Sequence, residues 1–278
     1  MSTLPIDIIL VRHGESEGNR ASDKASRKGD NKFFTSGFRE RHSRTFRLTD
    51  LGISQAKAAG EWLKDNLYMP LDRFYVSDYI RAKETAAYMD LPGAQWRVDF
   101  QLRERDLALM DNRSEEEIKR LFEFERHQYE IDPFLSYLAG GESIPMFCLR
   151  LKTDFVSHLA RECHSERVVV VCHGQVIRAL QLVFEKLGHD DFIRLDASED
   201  RADKIRNGQI VWYTRRDPET GVIDSSKLVA VRSVNPFMAN SYSLNNQHDF
   251  GWRRIKRHCY TNTELLEETD RYPRHVNV

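Results

Sequence analysis

The chain of 278 residues carries 42 Lys and Arg against 43 Asp and Glu, a formal net charge of -1. That balance excludes a global attraction to nucleic acid or to an anionic membrane, so any electrostatic preference has to come from local clusters. With 40% hydrophobic and 31% charged residues, the composition excludes whole-chain disorder and predicts one well-solvated domain over residues 1-278. No apolar run reaches the length of a membrane span, and Met1-Ser2-Thr3-Leu4-Pro5 has no signal-peptide pattern. A cytoplasmic protein is expected. Cys148, Cys163, Cys172 and Cys259 are too few and too dispersed for a disulfide framework and read as reduced thiols. The pairs Cys163-His164 and Cys172-His173 lack metal-ligand spacing, so no metal is expected.

In chain order, the first element is the apolar, β-branched run Ile8-Ile9-Leu10-Val11, which ends abruptly in Arg12-His13-Gly14. It reads as a buried strand that delivers two polar side chains to its carboxyl end, where open α/β sheets keep their ligand crevice. Arg12 offers a planar fork of donors to phosphate oxygens. His13 offers a nitrogen that is neutral near physiological pH and can attack phosphorus. From Arg20 to Arg47 the periodicity fades, and nine basic against three acidic residues give a net +6. This predicts a basic inserted loop beside the strand end, either solvated or a substrate-facing lid. Phe33, Phe34, Phe38 and Phe46 interleave with its charges and suggest, weakly, stacking on a base.

Thr49 predicts a helix cap, with Ala56, Ala59, Leu63 and Leu67 on one face. Phe74-Tyr75-Val76-Ser77 reads as a second strand, followed by a helix with Arg81 in its first turns, and Trp96-Arg97-Val98 as a short third strand. Glu104 falls in the polar loop after it. Ser114 with Glu117 forms a capping box for a helix to about Tyr129, and Ser143 caps another to about Cys163 with Phe147, Leu151, Phe155 and Leu159 in the core. Val168-Val169-Val170-Val171-Cys172 is a fully buried strand that ends in His173-Gly174 as the first ended in His13-Gly14. A helix from Val176 to Leu187 stops at Gly188. Gln209 to Arg215 and Lys227 to Val234 predict an edge hairpin. A polar C-terminal extension from about Asn235 contains one short helix near Glu264 to Glu268 and a basic cluster at Arg253 to His258, read as solvated.

Strand and helix alternate, which predicts an α/β fold: a three-layer α/β/α sandwich with a mainly parallel central sheet. Two strands ending in His-Gly and a third followed by an arginine bring Arg12, His13, Arg81 and His173 to one sheet edge, with Glu104 on a loop able to close over them.

The ordered motifs Arg12-His13-Gly14-Glu15-Ser16-Glu17-Gly18-Asn19, Leu48-Thr49 with Gly52, Gln55 and Ala56, Ser77 with Arg81-Ala82 and Thr85-Ala86, Leu102 with Glu104, Gly141-Glu142-Ser143, and His173-Gly174 with Val176-Ile177-Arg178 resemble the phosphoglycerate-mutase-like branch of the histidine phosphatase superfamily. The resemblance implies that His13 becomes a phosphohistidine, and that Arg12, Asn19, Arg81, His173 and Gly174 form the phosphate pocket. It implies that Glu104 protonates the leaving oxygen and then activates water. Glu15 is assigned no chemistry and is expected to brace the loop. The expected activity is metal-independent hydrolysis of a phosphomonoester, without a cofactor, on a phosphorylated small molecule or a phosphoprotein. The alternatives are a phosphoglycerate-type mutase and a catalytically silent phosphate-binding scaffold. Mutases of the family carry an aromatic and a glycine soon after the acid, where this chain has Asp106-Leu107-Ala108, and the insertion after Asn19 is longer than usual. Both departures point away from the mutase.

Overall fold

The computed structural model describes residues 3-67, 70-137, 140-241, 248-270 and Tyr272. The chain runs β1 (Asp7–Arg12), α1 (Glu17–Lys28), α2 (Ser36–Glu40), α3 (Asp50–Asn66), β2 (Arg73–Ser77), α4 (Ile80–Met89) and β3 (Trp96–Asp99). It continues through α5 (Glu115–Leu121), α6 (Glu123–Ile131), α7 (Ile144–Arg150), α8 (Ser157–Glu162), β4 (Arg167–Cys172), α9 (Gly174–Glu185) and α10 (His189–Ala197). The last elements are β5 (Ile210–Thr214), β6 (Ala230–Val234), α11 (Pro236–Ser241), β7 (Asp249–Arg254) and α12 (Asn262–Thr269). Among the described residues no helix is long and apolar enough to cross a membrane, and all four cysteines are free thiols.

The sheet has the order β3-β2-β4-β1-β5-β6-β7. Strands β3, β2, β4 and β1 pair in parallel, and β5, β6 and β7 add on antiparallel. Alternation along β1 and β4 divides the core. Ile8, Leu10, Val168 and Val170 face Phe147, Leu151, Phe155, Leu180 and Phe184 from α7 to α9. Ile9, Val11, Val169 and Val171 face Ala59, Leu63, Ala82 and Met89 from α3 and α4. Both faces of the central strands are therefore covered, as their unbroken apolar runs require, and each such side chain contributes about 1.5–3 kcal/mol by leaving water.

The expected helix to Cys163 contains a six-residue π segment, Leu151–Val156, between α7 and α8. Phe147, Leu151, Phe155 and Leu159 are spaced by four. On a regular helix of about 3.6 residues per turn, Leu159 would lie roughly 120° around from Phe147. The wider π turns absorb that drift, and all four side chains are buried.

Four expectations change. The stretch from Arg20 to Arg47 is not a loop: α1 starts from a Ser16 cap, with the Asn19 side chain closing a capping box, and α2 follows a Thr35 cap. The helix expected over 114-129 breaks at Phe122, and α9 ends with Lys186 in the left-handed region, two residues before Gly188, which instead begins α10. The C-terminal extension is not merely solvated either, since β7 joins the sheet. Its cations are used internally: Arg253 pairs with Glu185, Arg254 with Asp217 and Glu219, and Arg257 donates to the Phe184 and Leu228 carbonyls. Residues 242-247 and 273-278 of that extension lie outside the described residues.

Candidate active site

The site forms where parallel strands end together. Arg12 is in register with Cys172, and the backbone N–H of His13 donates to the Cys172 carbonyl at 3.0 Å. His13 and His173 thus leave adjacent strands side by side, with ring centroids 5.1 Å apart and planes at 65°. Ser77 ends β2 on the other side of β4, and its hydroxyl lies 2.8 Å from His173 Nε2. From the first turn of α4, Arg81 donates through Nε to His13 Nε2 at 3.1 Å and through Nη1 to the Ser43 carbonyl at 2.8 Å. The turn after His13 is fixed by two glycines. A Cβ on Gly14 would sit 2.2 Å from the Gly52 carbonyl oxygen, and one on Gly52 would sit 2.1 Å from that of Glu15. Only a residue without a side chain lets the strand end press against the head of α3.

These contacts set the protonation of both imidazoles. His13 Nδ1 lies 2.7 Å from the Gly14 carbonyl oxygen, which only accepts. Nδ1 therefore carries the ring proton, and Nε2 presents its lone pair to the Arg81 N–H. Burial, then Arg81, then Arg12 hold the His13 pKa well below its ordinary value, against an opposing pull from Gly14. His173 is likewise held well below by burial and then by Arg81, His13 and Arg12. Ser77 Oγ also accepts from the Tyr79 N–H at 3.4 Å, and in the tautomer where its hydroxyl donates to His173 Nε2 the ring proton stands on Nδ1. His173 Nδ1 and Arg12 Nε are both buried with no hydrogen-bond partner among the described residues. An unsatisfied buried donor costs about 1–3 kcal/mol, and two together on the edge of a cationic pocket are what an anion would satisfy.

Gly174 lies against Arg12: a Cβ there would be 3.3 Å from Nε. It admits the guanidinium to the head of α9. Glu104 stands on the loop after β3. Burial raises its carboxyl pKa, and the Arg105 N–H, Arg81, Arg12 and the Gln175 N–H oppose the rise. A carboxyl whose hold on its proton is strengthened by burial is suited to giving that proton to a departing oxygen. After it, Asp106 accepts from the Ala108 N–H at 2.7 Å, and Ala108 is forced to a φ of 47° where family mutases have glycine nearby.

Asn19 lines the same cleft. Its Oδ1 accepts from Ser16 N, Ser16 Oγ and Asn207 Nδ2 at 3.2, 3.0 and 3.1 Å, so the amide NH2 is the end left for a ligand. Glu15 braces the loop as expected, accepting from Thr49 Oγ1 at 2.6 Å and pairing with Arg20 at 2.9 Å.

One group was not foreseen. Ile205 O accepts from Arg12 Nη1 at 2.6 Å, Asn207 Nδ2 donates to the His13 carbonyl at 3.0 Å, and the Gly208 N–H lies 3.2 and 3.3 Å from the Arg12 and His13 carbonyls. Asn207 is in turn held by Asn235 Nδ2 at 3.1 Å. No local pattern in the sequence marks these residues.

The cleft above the pocket has a volume of about 630 Å³, and the segment from Ser22 to Phe46 supplies one wall. The segment does face the site, but its charge is largely spent. Arg20, Arg39, Arg41 and Arg47 pair with Glu15, Glu117, Glu17 and Glu84 from outside the segment, and Arg27 and Lys32 with Asp23 and Asp30 inside it. Nor do its phenylalanines form a stacking platform: Phe34 and Phe46 are buried, and Phe38 stacks on Phe46 at 4.6 Å. Among the described cations of the cleft, Arg39, Arg41 and Arg113 are ion-paired and Arg105 donates to backbone carbonyls. Arg12 and Arg81 have no carboxylate of the described residues within ion-pair distance. Among the described residues no group of three or more His, Cys, Asp or Glu side chains has the arrangement to hold a metal.

Comparison with known proteins places this geometry. The chain is 30% identical over 197 residues to the 2,3-bisphosphoglycerate-dependent phosphoglycerate mutase of Azorhizobium caulinodans, covering 67% of this chain and 85% of that protein. It is 30% identical over 200 residues to the enzyme of the same name from Nitrobacter hamburgensis, covering 67% and 84%. Among solved structures, the mycobacterial glucosyl-3-phosphoglycerate phosphatase in complex with VO3 matches with a TM-score of 0.57 at 24% identity, covering 74% of this chain and 92% of that one. The α-ribazole phosphatase from Shigella flexneri matches with a TM-score of 0.59 at 16% identity, covering 80% and 98%. The family model described as "Histidine phosphatase superfamily (branch 1)" matches residues 8-203, a span that holds Arg12, His13, Asn19, Arg81, Glu104 and His173, and the chain belongs to that family.

Proposed function

We propose that this protein is a metal-independent phosphomonoester hydrolase that works through a phosphohistidine on His13. The carrying observation is the pair of buried, unpartnered atoms Arg12 Nε and His173 Nδ1 beside a His13 whose Nε2 lone pair faces the same pocket. On this reading the phosphoryl oxygens take Arg12 Nε, His173 Nδ1, the Asn19 amide and the Arg81 guanidinium, and Arg81 turns from His13 Nε2 to the phosphate. The Nε2 lone pair forms the N–P bond as the P–O bond to the alcohol breaks, and the Glu104 proton passes to the leaving oxygen. Glu104, now a carboxylate, takes a proton from water as that oxygen attacks phosphorus and the N–P bond breaks. Prepositioned cations and N–H donors stabilise the charge spread over the non-bridging oxygens.

Transfer to water rather than to a second substrate is favoured by the count of free cations. A phosphoglycerate mutase must hold a carboxylate and a second phosphate as well as the transferred group. Here Arg39, Arg41 and Arg113 are already paired with glutamates. The mutase names of the 30% identical relatives support the other outcome, in which the phosphoenzyme returns its phosphate to bound product. A silent scaffold is disfavoured because Glu104 stays within electrostatic reach of both pocket arginines despite the Asp106-Leu107-Ala108 departure. The substrate is a phosphorylated small molecule or a phosphoprotein, met in the cytoplasm.

Quenched turnover of a phosphomonoester should yield an acid-labile phosphoenzyme that His13→Ala cannot form, with activity that survives chelators. Incubation with 3-phosphoglycerate and a trace of the 2,3-bisphosphate should give no 2-phosphoglycerate. Efficient isomerisation would overturn hydrolysis in favour of the mutase.

A further inference from the structure

A second hollow, of about 480 Å³, lies against the first. Arg105, Asp106, Leu107, Met110 and Ile118 belong to the walls of both. Beyond that shared wall it is bounded by Tyr129 on α6, by Tyr137 and by Gln175 near the head of α9.

Its chemistry selects against charge. Lys119 is paired with Glu115 at 3.0 Å and Arg126 with Glu130 at 2.6 Å, while Arg105 donates to the Glu142 and Ser136 carbonyls at 2.7 and 3.1 Å. Among the described cations of this wall only Arg105 lacks a carboxylate partner, and its donors are turned to those two carbonyls, so a second anion gains little here. Apolar surface is available instead: Leu107, Tyr129 and Tyr137 are 44%, 43% and 61% exposed. Gln175 Oε1 is buried without a hydrogen-bond partner. A group that matches is uncharged, mostly apolar, and carries one O–H or N–H for that oxygen.

Position links the hollow to the reaction. The Gln175 backbone N–H interacts with the Glu104 carboxylate, so the residue that lines the hollow adjoins the group that would protonate the leaving oxygen. Gln175 thereby connects the acid to the hollow.

We propose that this hollow is the leaving-group subsite, and that the preferred substrates are phosphomonoesters of uncharged aromatic or largely apolar alcohols. The inference rests on the phosphatase reading above. It separates from it experimentally, because phenyl and 2-naphthyl phosphate have leaving groups of similar acidity and differ chiefly in apolar area. Wild-type kcat/KM should be about tenfold or more higher for 2-naphthyl phosphate, the gain of burying one more ring. Tyr129→Ala and Tyr137→Ala, both at partly open wall positions, should each lower that ratio by about threefold or more and leave phenyl phosphate within about twofold. Ile118→Trp, which fills the hollow, should lower the ratio too, and 2-naphthol should inhibit competitively. Equal kcat/KM for the two esters in wild type, or equal losses on both in the variants, overturns the subsite and leaves the phosphatase standing. Failure of the wild type to hydrolyse any phosphomonoester overturns both.

Discussion

Arg81 donates its Nε–H to His13 Nε2 at 3.1 Å, so the nitrogen that would attack phosphorus is held by the guanidinium that would hold the phosphate. The contact requires a neutral His13, and Arg81 is the strongest charge opposing its protonation. The acid limb of kcat/KM should therefore lie below pH 6.5, the ordinary histidine value. Arg81→Gln should move that limb upward and lower kcat/KM by about a hundredfold or more through loss of transition-state stabilisation. A pH–rate profile of both proteins checks this; a wild-type limb at or above 6.5 contradicts it.

Stability should follow the same histidines. His13 and His173 are neutral when folded and take protons when unfolded below their ordinary value of 6.5. The unfolded state then binds more protons, so stability is full above about pH 6.5 and falls as pH drops, by about 1.4 kcal/mol per pH unit for each histidine. Urea melts at pH 7.5 and 5.5 should show the loss, and His173→Gln should reduce its slope.

Glu104 has a raised pKa and should set the basic limb of the first chemical step. In single turnover, Glu104→Gln should slow phosphoenzyme formation from alkyl phosphates by about a hundred to ten thousand-fold. Nitrophenyl phosphate, whose leaving group needs little protonation, should lose much less. Equal losses on both would assign the proton to another acid, with Asp106 the next to be tested.

Asn207 holds the His13 carbonyl and the Asn19 carboxamide together. In Asn207→Ala, Asn19 loses one of the three donors that fix which end of its amide faces the cleft. We expect KM to rise about tenfold, with stability lowered by about 1 kcal/mol, since the Gly208 N–H still serves the His13 carbonyl. Asn207→Asp should be worse than alanine, because it sets a carboxylate against two oxygens. A change in stability alone, with KM unmoved, would make Asn207 a purely structural residue.

Ala108 sits at φ 47° in the loop that carries Glu104. Left-handed backbone costs a residue with a Cβ about 1–2 kcal/mol, so Ala108→Gly should gain roughly 1 kcal/mol less the extra entropy of the unfolded glycine. Denaturant midpoints would show the gain. A loss would mean that the alanine methyl makes a contact worth more than the strain.

Much of the site was readable in the sequence because buried parallel strands announce themselves as apolar runs and their polar ends are the crevice. Ile8 to Val11 and Val168 to Cys172 located His13 and His173 without any contact being known. Helix α1 was hidden because Ala21 is its only buried residue, so no apolar stripe marked it. Its cap is Ser16 with Asn19, and in the sequence Asn19 reads as a phosphate ligand rather than as a cap. Strand β7 is an edge strand with mostly exposed residues, and nothing in its composition demanded a sheet. Ile205, Asn207 and Gly208 act across 193 to 196 positions of sequence, through backbone carbonyls whose need for donors no side-chain pattern reveals.

Strand β1 lies between β4 and β5, which leave the ribosome much later. Until Arg167–Cys172 and Ile210–Thr214 emerge, Ile8 to Val11 have neither ladder partner and form a bare apolar segment with two open edges. The nucleophile's loop likewise has no clasp until Asn207 arrives. A nascent or truncated chain ending before β5 should be prone to self-association and dependent on chaperones, and it cannot acquire a finished phosphate pocket before Asn207 is made.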